Sequence, residues 1–291
     1  MLAGVDLGGT QVRVAAAKRD GKIFSERQAR TWDFADADEF IRWIAAAIAE
    51  VADSKVEAIG LGSPGPLDPK AGRILNAANL PAFCRDLEIS DRLSGATGAP
   101  VHLENDANLA AVGEHRQGAG TGTRNMIYVT WSTGIGSGII IDGRLYSGSH
   151  GTAGEIGHTI LDPAGPLDGC GQRGCVEAYA GGRMLERRTG RPANELFAAA
   201  KAGERPALQA VTEAAAMLGV GLLNLTNLFD PDLIVIGGGV TSSWGLVRGE
   251  LERPLRESPF VGRARRPAIR RARLGARVGL VGAVEWARTN A

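Results

Sequence analysis

Hydrophobic positions recur along the chain at two periods, and the switches between them mark out the elements. Residues 2–6 are an apolar run that ends in Gly8-Gly9-Thr10, and residues 12–17 return as a second strand. Asp20-Gly21 signals a hairpin into a third strand. Phe40, Ile44 and Ile48 fall every four residues, which predicts an amphipathic helix over 36–52. Residues 56–61 read as a short strand running into Ser63-Pro64-Gly65-Pro66. Residues 101–104 read as another, with a helix after it over 107–116.

The pattern then restarts. Residues 126–131 form a strand, Thr133-Gly134-Ile135-Gly136-Ser137-Gly138 reads as a glycine turn, and residues 139–141 continue to Asp142-Gly143. This repeats the strand, glycine turn, strand and Asp-Gly hairpin of residues 2–22. An alanine-rich helical interval covers 192–228, residues 233–236 form a buried strand before Gly237-Gly238-Gly239, and a last helix fits 280–290. Strands alternating with helices predict an α/β fold. Two similar halves predict a duplicated domain with a cleft between the copies.

Composition narrows the classes. Glycine accounts for 41 of 291 residues, about twice the usual ~7% share, but with no three-residue period, so collagen is excluded. Hydrophobic residues at 44% and charged residues at 22% exclude a disordered chain. A net charge of +1 supplies no field that would recruit nucleic acid or a membrane. No uninterrupted apolar run approaches the ~18 residues of a membrane span. The first residues lack a basic segment followed by a hydrophobic one, which predicts the cytoplasm. Three cysteines, Cys84, Cys170 and Cys175, are too few and odd for a disulfide scaffold, and Cys84 reads as a small buried apolar residue.

Three constellations carry candidate chemistry. Gly8, Gly9 and Thr10 offer backbone N–H groups and a hydroxyl where no Cβ blocks approach, a nest that suits phosphate oxygens. Thr133, Gly134 and Gly136 repeat this in the second half. No Gly-Lys-Ser/Thr follows either turn, and the second leads into a strand, so neither is a Walker loop nor a dinucleotide fingerprint. Gly237, Gly238 and Gly239 leave room for a flat group such as a nucleobase, or else mark a crowded turn. The second constellation is Glu104-Asn105-Asp106 at the carboxyl end of a strand. Spacing alone reads Asp106 as a helix N-cap, and Asp6 as a carboxylate that holds a Mg²⁺-bound water or packs a turn. The third is Gly154-Glu155-Ile156-Gly157-His158 with Asp168, Cys170, Cys175 and Glu177. His158, Cys170 and Cys175 are zinc-ligand types in a glycine-rich loop, and Asp168 is the nearest fourth ligand. The arginines at 263, 265, 266, 270, 271, 273 and 277 lack interleaved aromatics and read as a solvated strand with its flanks rather than a nucleic-acid patch.

Taken together these motifs resemble the ROK family of sugar kinases and sugar-responsive repressors, within the actin-like ATPase superfamily. The resemblance runs from Asp6-Leu7-Gly8-Gly9-Thr10 through Ser63-Pro64-Gly65-Pro66-Leu67-Asp68, Asn79-Leu80 and Glu104-Asn105-Asp106-Ala107-Asn108. It continues through Gly154–His158, Cys170-Gly171-Gln172-Arg173-Gly174-Cys175-Val176-Glu177 and Gly237-Gly238-Gly239. It implies duplicated actin-like (ribonuclease H-like) domains, a smaller one over 1–112 plus 280–291 and a larger one over 113–279 that carries the zinc loop. It also implies a glucokinase-like enzyme that transfers the ATP γ-phosphate to the 6-hydroxyl of a hexose, with Mg²⁺ as companion ion. N-acetylhexosamine kinase is the alternative.

By the same resemblance Asp106 is the catalytic base. The sugar site draws on Gly65, Asn79, Asn105, Asp106, Glu155, His158 and Glu177. Asp6, Gly8, Gly9, Thr10, Thr133, Gly134, Gly136 and Gly237–Gly239 serve the nucleotide. The family pattern has cysteine where this chain has Asp168, whose carboxylate oxygen is a harder zinc donor than thiolate. A dimer or tetramer is implied. The repressor reading expects a DNA-reading module ahead of the first strand, which here starts at residue 2.

Overall fold

The computed structural model describes residues 1–262 and 266–291, so Arg263 and Arg265 of the basic run lie outside the described residues. The chain divides into two compact units. The first comprises residues 1–121, 145–153 and 274–291, and the second residues 122–144 and 154–273.

In the first unit, β1 (Leu2–Leu7), β2 (Gln11–Ala17) and β3 (Ile23–Arg30) form an antiparallel meander. Helix α1 (Ala37–Val51) follows, its first turn capped by the Asp36 carboxylate, which accepts the Glu39 N–H. Phe40, Ile44 and Ile48 are buried on one face, as their spacing predicts. β4 (Ala58–Ser63) then pairs parallel with β1. Two two-residue strands, β5 (Leu67–Asp68) and β6 (Arg73–Ile74), pair with each other. After α2 (Ile89–Thr97), β7 (Val101–Asn105) pairs parallel with β4 and leads directly into α3 (Asp106–Gln117). The sheet order is β3-β2-β1-β4-β7.

The C-terminal helix, Val278–Asn290, closes over this sheet. It lies so near that a Cβ at Gly60 would overlap the Ala283 carbonyl oxygen, and one at Gly282 the Leu109 carbonyl oxygen of α3. Residues 145–153 belong to the same unit because Ser147 donates to Glu104 at 3.1 Å and Lys70 to the Ser149 carbonyl at 3.1 Å.

The second unit repeats the plan. β8 (Met126–Trp131) and β9 (Ile135–Ile141) are antiparallel, with the two-residue β10 (Arg144–Leu145) at the edge. The Asp142-Gly143 hairpin has both residues at positive φ, 52° and 75°, the requirement of a type I′ turn. β9 begins earlier than the sequence predicts: the turn is only Ser132–Gly134, and Gly136 and Gly138 are strand residues opposite Thr130 and Tyr128.

Four helices follow: α4 (Val176–Ala180), α5 (Gly182–Thr189), α6 (Ala193–Lys201) and α7 (Arg205–Phe229). The helical interval predicted over 192–228 is thus two helices, divided at Ala202-Gly203-Glu204 with Gly203 at φ 86°. α7 has the length and mean hydropathy, 1.4, of a membrane span, yet Val211, Leu218 and Leu222 are fully buried in this unit's core. β11 (Leu233–Gly237), α8 (Trp244–Glu257) and β12 (Ala268–Arg271) complete the unit. The sheet order β10-β9-β8-β11-β12 matches the first strand for strand, in parallel and antiparallel sense as well. The predicted duplication is present in the topology. The basic run contributes the edge strand β12, with Ile269 buried and Arg270 and Arg271 exposed.

Candidate active site

In the first unit β1, β4 and β7 are adjacent and parallel, so their carboxyl ends share one edge, where ligands of α/β sheets bind. Gly8-Gly9-Thr10 follows β1, Ser63-Pro64-Gly65 ends β4, and Asn105-Asp106 ends β7. The Gly8 N–H donates to the Gln11 carbonyl at 2.9 Å, which closes a tight turn. Its three carbonyls are all engaged from one side: Gly8 accepts Thr31 Oγ1 at 2.7 Å, Gly9 accepts Trp32 Nε1 at 2.6 Å, and Thr10 accepts the Thr31 N–H at 3.0 Å. A Cβ at Gly9 would come within 2.9 Å of the Asn79 carbonyl oxygen, so glycine there lets the Asn79 segment lie against the turn.

The cap of α3 differs from the spacing-based reading. Asn105 is the N-cap: its Oδ1 accepts the N–H groups of Ala107 at 2.9 Å and Asn108 at 3.3 Å. Asp106 is the first helical residue and is exposed, and its Oδ1 also accepts the Ala107 N–H at 2.8 Å. The reason is register. Asn105 is the last paired residue of β7, opposite Ser63, and its extended backbone (ψ 143°) makes it the half-in residue. Gly65 sits beside it, where a Cβ would be 3.7 Å from Asn105 Nδ2. Gly65, Asn105 and Asp106 are therefore brought together, and Gly9 with Asn79.

Asp6 is 8% exposed and ion-paired with Arg13. Its carboxylate lies against Gly279 in the first turn of the C-terminal helix, where an anion is favoured by the helix dipole. Burial nonetheless raises its pKa, with Arg13 pulling it down. The side chain thus meets β2 through Arg13 and the C-terminal helix at Gly279.

In the second unit the turn after β8 is built on Glu177. Its Oε2 accepts the Ile135 N–H at 2.7 Å, and a Cβ at Gly134 would meet that carboxylate at 2.5 Å. The start of α5 braces the other side, through Arg183 N–H to the Thr133 carbonyl at 2.9 Å. Thr133 and Gly239 line a cavity of about 400 Å³, together with Arg183, Glu186, Phe197 and Val240. Sequence reasoning missed these last four, whose only local signal is the glycine pair before Arg183. Gly237 and Gly238 are not in that lining; side chains there would strike Tyr128 and the Trp131 backbone. Their glycines follow from packing, while Gly239 is the one that faces the cavity.

His158 and Glu177 both act electrostatically on Glu155. Desolvation pushes the Glu155 carboxyl above the usual range, His158 draws it down and Glu177 adds to the rise. Beside them, ligand atoms of His158, Asp168, Cys170 and Cys175 all lie within 4.8 Å of one another. The Cys170 and Cys175 sulfurs are 3.9 Å apart, far beyond a disulfide bond. His158 Nδ1 and Asp168 Oδ1 are buried without a hydrogen-bond partner, a costly state that a cation relieves. Burial and the neighbouring Cys170 push the Cys175 thiol up to about 11, the kind of shift that a bound metal reverses. The donor set of two sulfurs, one imidazole nitrogen and one carboxylate oxygen fits zinc.

The family model for the ROK family matches residues 2–290. The chain belongs to the ROK family. It is 35% identical to a glucokinase from Thermotoga maritima over 88% of this chain and 86% of that one. It is 33% identical to an N-acetylmannosamine kinase from Yersinia pestis over 98% of each. Among solved structures, a ROK hexokinase from Thermus thermophilus superposes with a TM-score of 0.89 at 39% identity, covering 99% of this chain and 98% of that one. A ROK glucokinase from Streptomyces griseus in complex with glucose and AMPPNP superposes with a TM-score of 0.81 at 34% identity, covering 99% of both.

Proposed function

We propose that this ROK sugar kinase transfers the γ-phosphoryl group of ATP to the 6-hydroxyl of glucose, with Asp106 as the base. The observation that carries the reading is the division of labour at the head of α3. Asn105 caps the helix, so Asp106 is exposed as its first residue, next to Asn105, whose amide lies against Gly65. An aspartate of ordinary pKa ~3.9 cannot ionise an alcohol in advance. The proton therefore passes to Asp106 late, as the oxygen bonds to phosphorus, which suits a loose transition state.

The remaining assignments follow from what each group can offer a ring of hydroxyls. Asn105 has its Oδ1 committed to the cap, so its Nδ2 is the donor to sugar. Glu177 has Oε2 committed to Ile135, so Oε1 accepts. Glu155, with its raised pKa, takes or gives a proton within a hydrogen bond. The Gly8 N–H closes the turn onto the Gln11 carbonyl, while Gly9 and Thr10, their carbonyls tied back, offer N–H groups to phosphate oxygens, as Thr133 and Gly134 do in the second unit. Gly239 borders the cavity that takes the adenine. Mg²⁺ bound with ATP neutralises charge on the phosphates.

Zinc held by His158 Nδ1, Asp168, Cys170 and Cys175 is structural. It fixes which imidazole nitrogen carries the proton, and so directs Nε2 toward a sugar hydroxyl. Purified protein is expected to carry close to one equivalent of zinc by atomic emission. Less than half an equivalent in chelator-free buffer removes this part of the reading.

A coupled assay over glucose, mannose, N-acetylglucosamine and N-acetylmannosamine, each with ATP and with polyphosphate, tests the whole. Glucose with ATP is expected to have the highest kcat/KM. The N-acetylmannosamine kinase relative supports the second reading, and a higher kcat/KM for that sugar would move the acceptor assignment to it.

A further inference from the structure

Two side chains brace the Gly8-Gly9-Thr10 turn and have no part in the chemistry above. Gln11 and Arg30 are the last paired residues of β2 and β3 at this end, so the chain beyond Arg30 runs alongside Thr10. There the Thr31 N–H donates to the Thr10 carbonyl at 3.0 Å. A single 3₁₀ turn, Thr31–Asp33, then brings Trp32 to Gly9. Phe34 pins the far end of that turn to α1, its ring 5.2 Å from Phe40 and 5.6 Å from Trp43. The pair Thr31-Trp32 is therefore held from both sides, by β3 and by α1.

Each side chain holds one carbonyl. Thr31 Oγ1 donates to the Gly8 carbonyl at 2.7 Å, and Trp32 Nε1 to the Gly9 carbonyl at 2.6 Å. A trans peptide points its C=O and its N–H in opposite directions. Holding the Gly8 carbonyl thus turns the Gly9 N–H away from Thr31, and holding the Gly9 carbonyl turns the Thr10 N–H away from Trp32. Among the described residues neither N–H has a protein partner. Left to itself the Gly8–Gly9 peptide can turn over at little cost, because glycine on both sides accepts either sign of φ. A reversed peptide presents a carbonyl oxygen, which repels phosphate.

We infer that Thr31 and Trp32 are positioning residues that hold the Gly8 and Gly9 carbonyls and so aim the Gly9 and Thr10 N–H groups at phosphate oxygens. The inference rests on the assignment of this turn to phosphate. Hydrogen bonds in series reinforce one another, so a donor on each carbonyl also strengthens the N–H of the same peptide toward an anion. The two residues differ in what else they do. Thr31 is fully buried, whereas Trp32 is 58% exposed, so its ring adds little to the core and its N–H is what the turn uses.

Amide NMR and calorimetry on the whole protein test this, with Mg²⁺ and a non-hydrolysable ATP analogue, and with adenosine as the phosphate-free control. In the native protein the Gly9 and Thr10 amide protons are expected to move downfield with the analogue and to stay in place with adenosine. Thr31→Val removes the hydroxyl but keeps the branched shape, and Trp32→Phe keeps a ring but no donor. The first is expected to lose the Gly9 shift and the second the Thr10 shift. Each weakens the analogue at least about tenfold, the scale of one hydrogen bond to a charged group, while adenosine affinity and the KM for glucose stay within about twofold. Thr31→Ser keeps the hydroxyl and is expected to restore both shift and affinity.

Absence of the downfield shift in the native protein overturns the phosphate reading of the turn, and the inference with it. Shifts that persist in the variants leave that reading standing and overturn the positioning role alone. So does an affinity loss that adenosine shares, or one that Thr31→Ser fails to restore, since general damage to the fold would give either. Trp32→Phe changes an exposed side chain, so it remains decisive if Thr31→Val, at a buried position, does not fold.

Discussion

Asp106→Asn is expected to lose ~10²–10⁴-fold in kcat, the usual cost of removing a positioned base, while still binding glucose. The asparagine keeps an oxygen for the Ala107 N–H that Asp106 now accepts at 2.8 Å, and the cap itself is made by Asn105. Helix α3 should therefore keep its first turn. Rapid-quench turnover with glucose titrated by calorimetry separates the two effects. Turnover within tenfold of native would remove Asp106 from the chemistry. Asn105→Ala offers a contrast: it takes away the cap as well as the sugar donor proposed for Nδ2, so it should lower stability by about 1 kcal/mol as well as weaken sugar binding.

Gly282→Ala should be among the most damaging single methyl groups in the first unit. Its Cβ would fall on the Leu109 carbonyl oxygen, a backbone atom within the buried α3 helix. Neither side can yield by rotating a side chain, so the cost is expected at the upper end of the ~1–3 kcal/mol typical of overpacking, or beyond it. Gly60→Ala should match it, since the Ala283 carbonyl oxygen occupies that space. Gly249→Ala is the control: nothing lies near its Cβ, and alanine in helix α8 should stabilise by up to ~1 kcal/mol. Urea unfolding of the three variants checks the order. If Gly282→Ala unfolds at the native midpoint, the close helix contact is not there in solution.

Much of this architecture is legible in the sequence because its strands are nearly uninterrupted apolar runs and α1 has a clean four-residue spacing. β1, β8, β11 and α1 fall within two residues of their predicted bounds. Helices whose buried faces are narrow leave no such trace. α5 buries only Gly182 and Leu185, and α8 is charged and carries Pro254, so neither stands out from its periodicity. β9 is obscured because Gly136 and Gly138 alternate within it, and small residues there read as a turn.

The site shows the same division. Residue types and order suggest which side chains matter, as with the two cysteines and the histidine whose ligand atoms converge. Which of two adjacent cap-competent residues caps α3 depends on where β7 stops pairing, and that is fixed by its neighbour β4. Likewise, that Gly237 and Gly238 answer to Tyr128 and Trp131 while Gly239 faces the cavity could only come from the packed structure.

The helix Val278–Asn290 completes the sheet that begins at Leu2. Ribosomes therefore make every residue of the second unit before they make the piece that covers the first. Proteins generally mature from the amino end as they emerge, but here the amino-terminal half must wait, its sheet bare over Gly4 and Gly60. The glycines that admit the late helix so closely also give a nascent chain little apolar side chain to expose at that spot in the meantime.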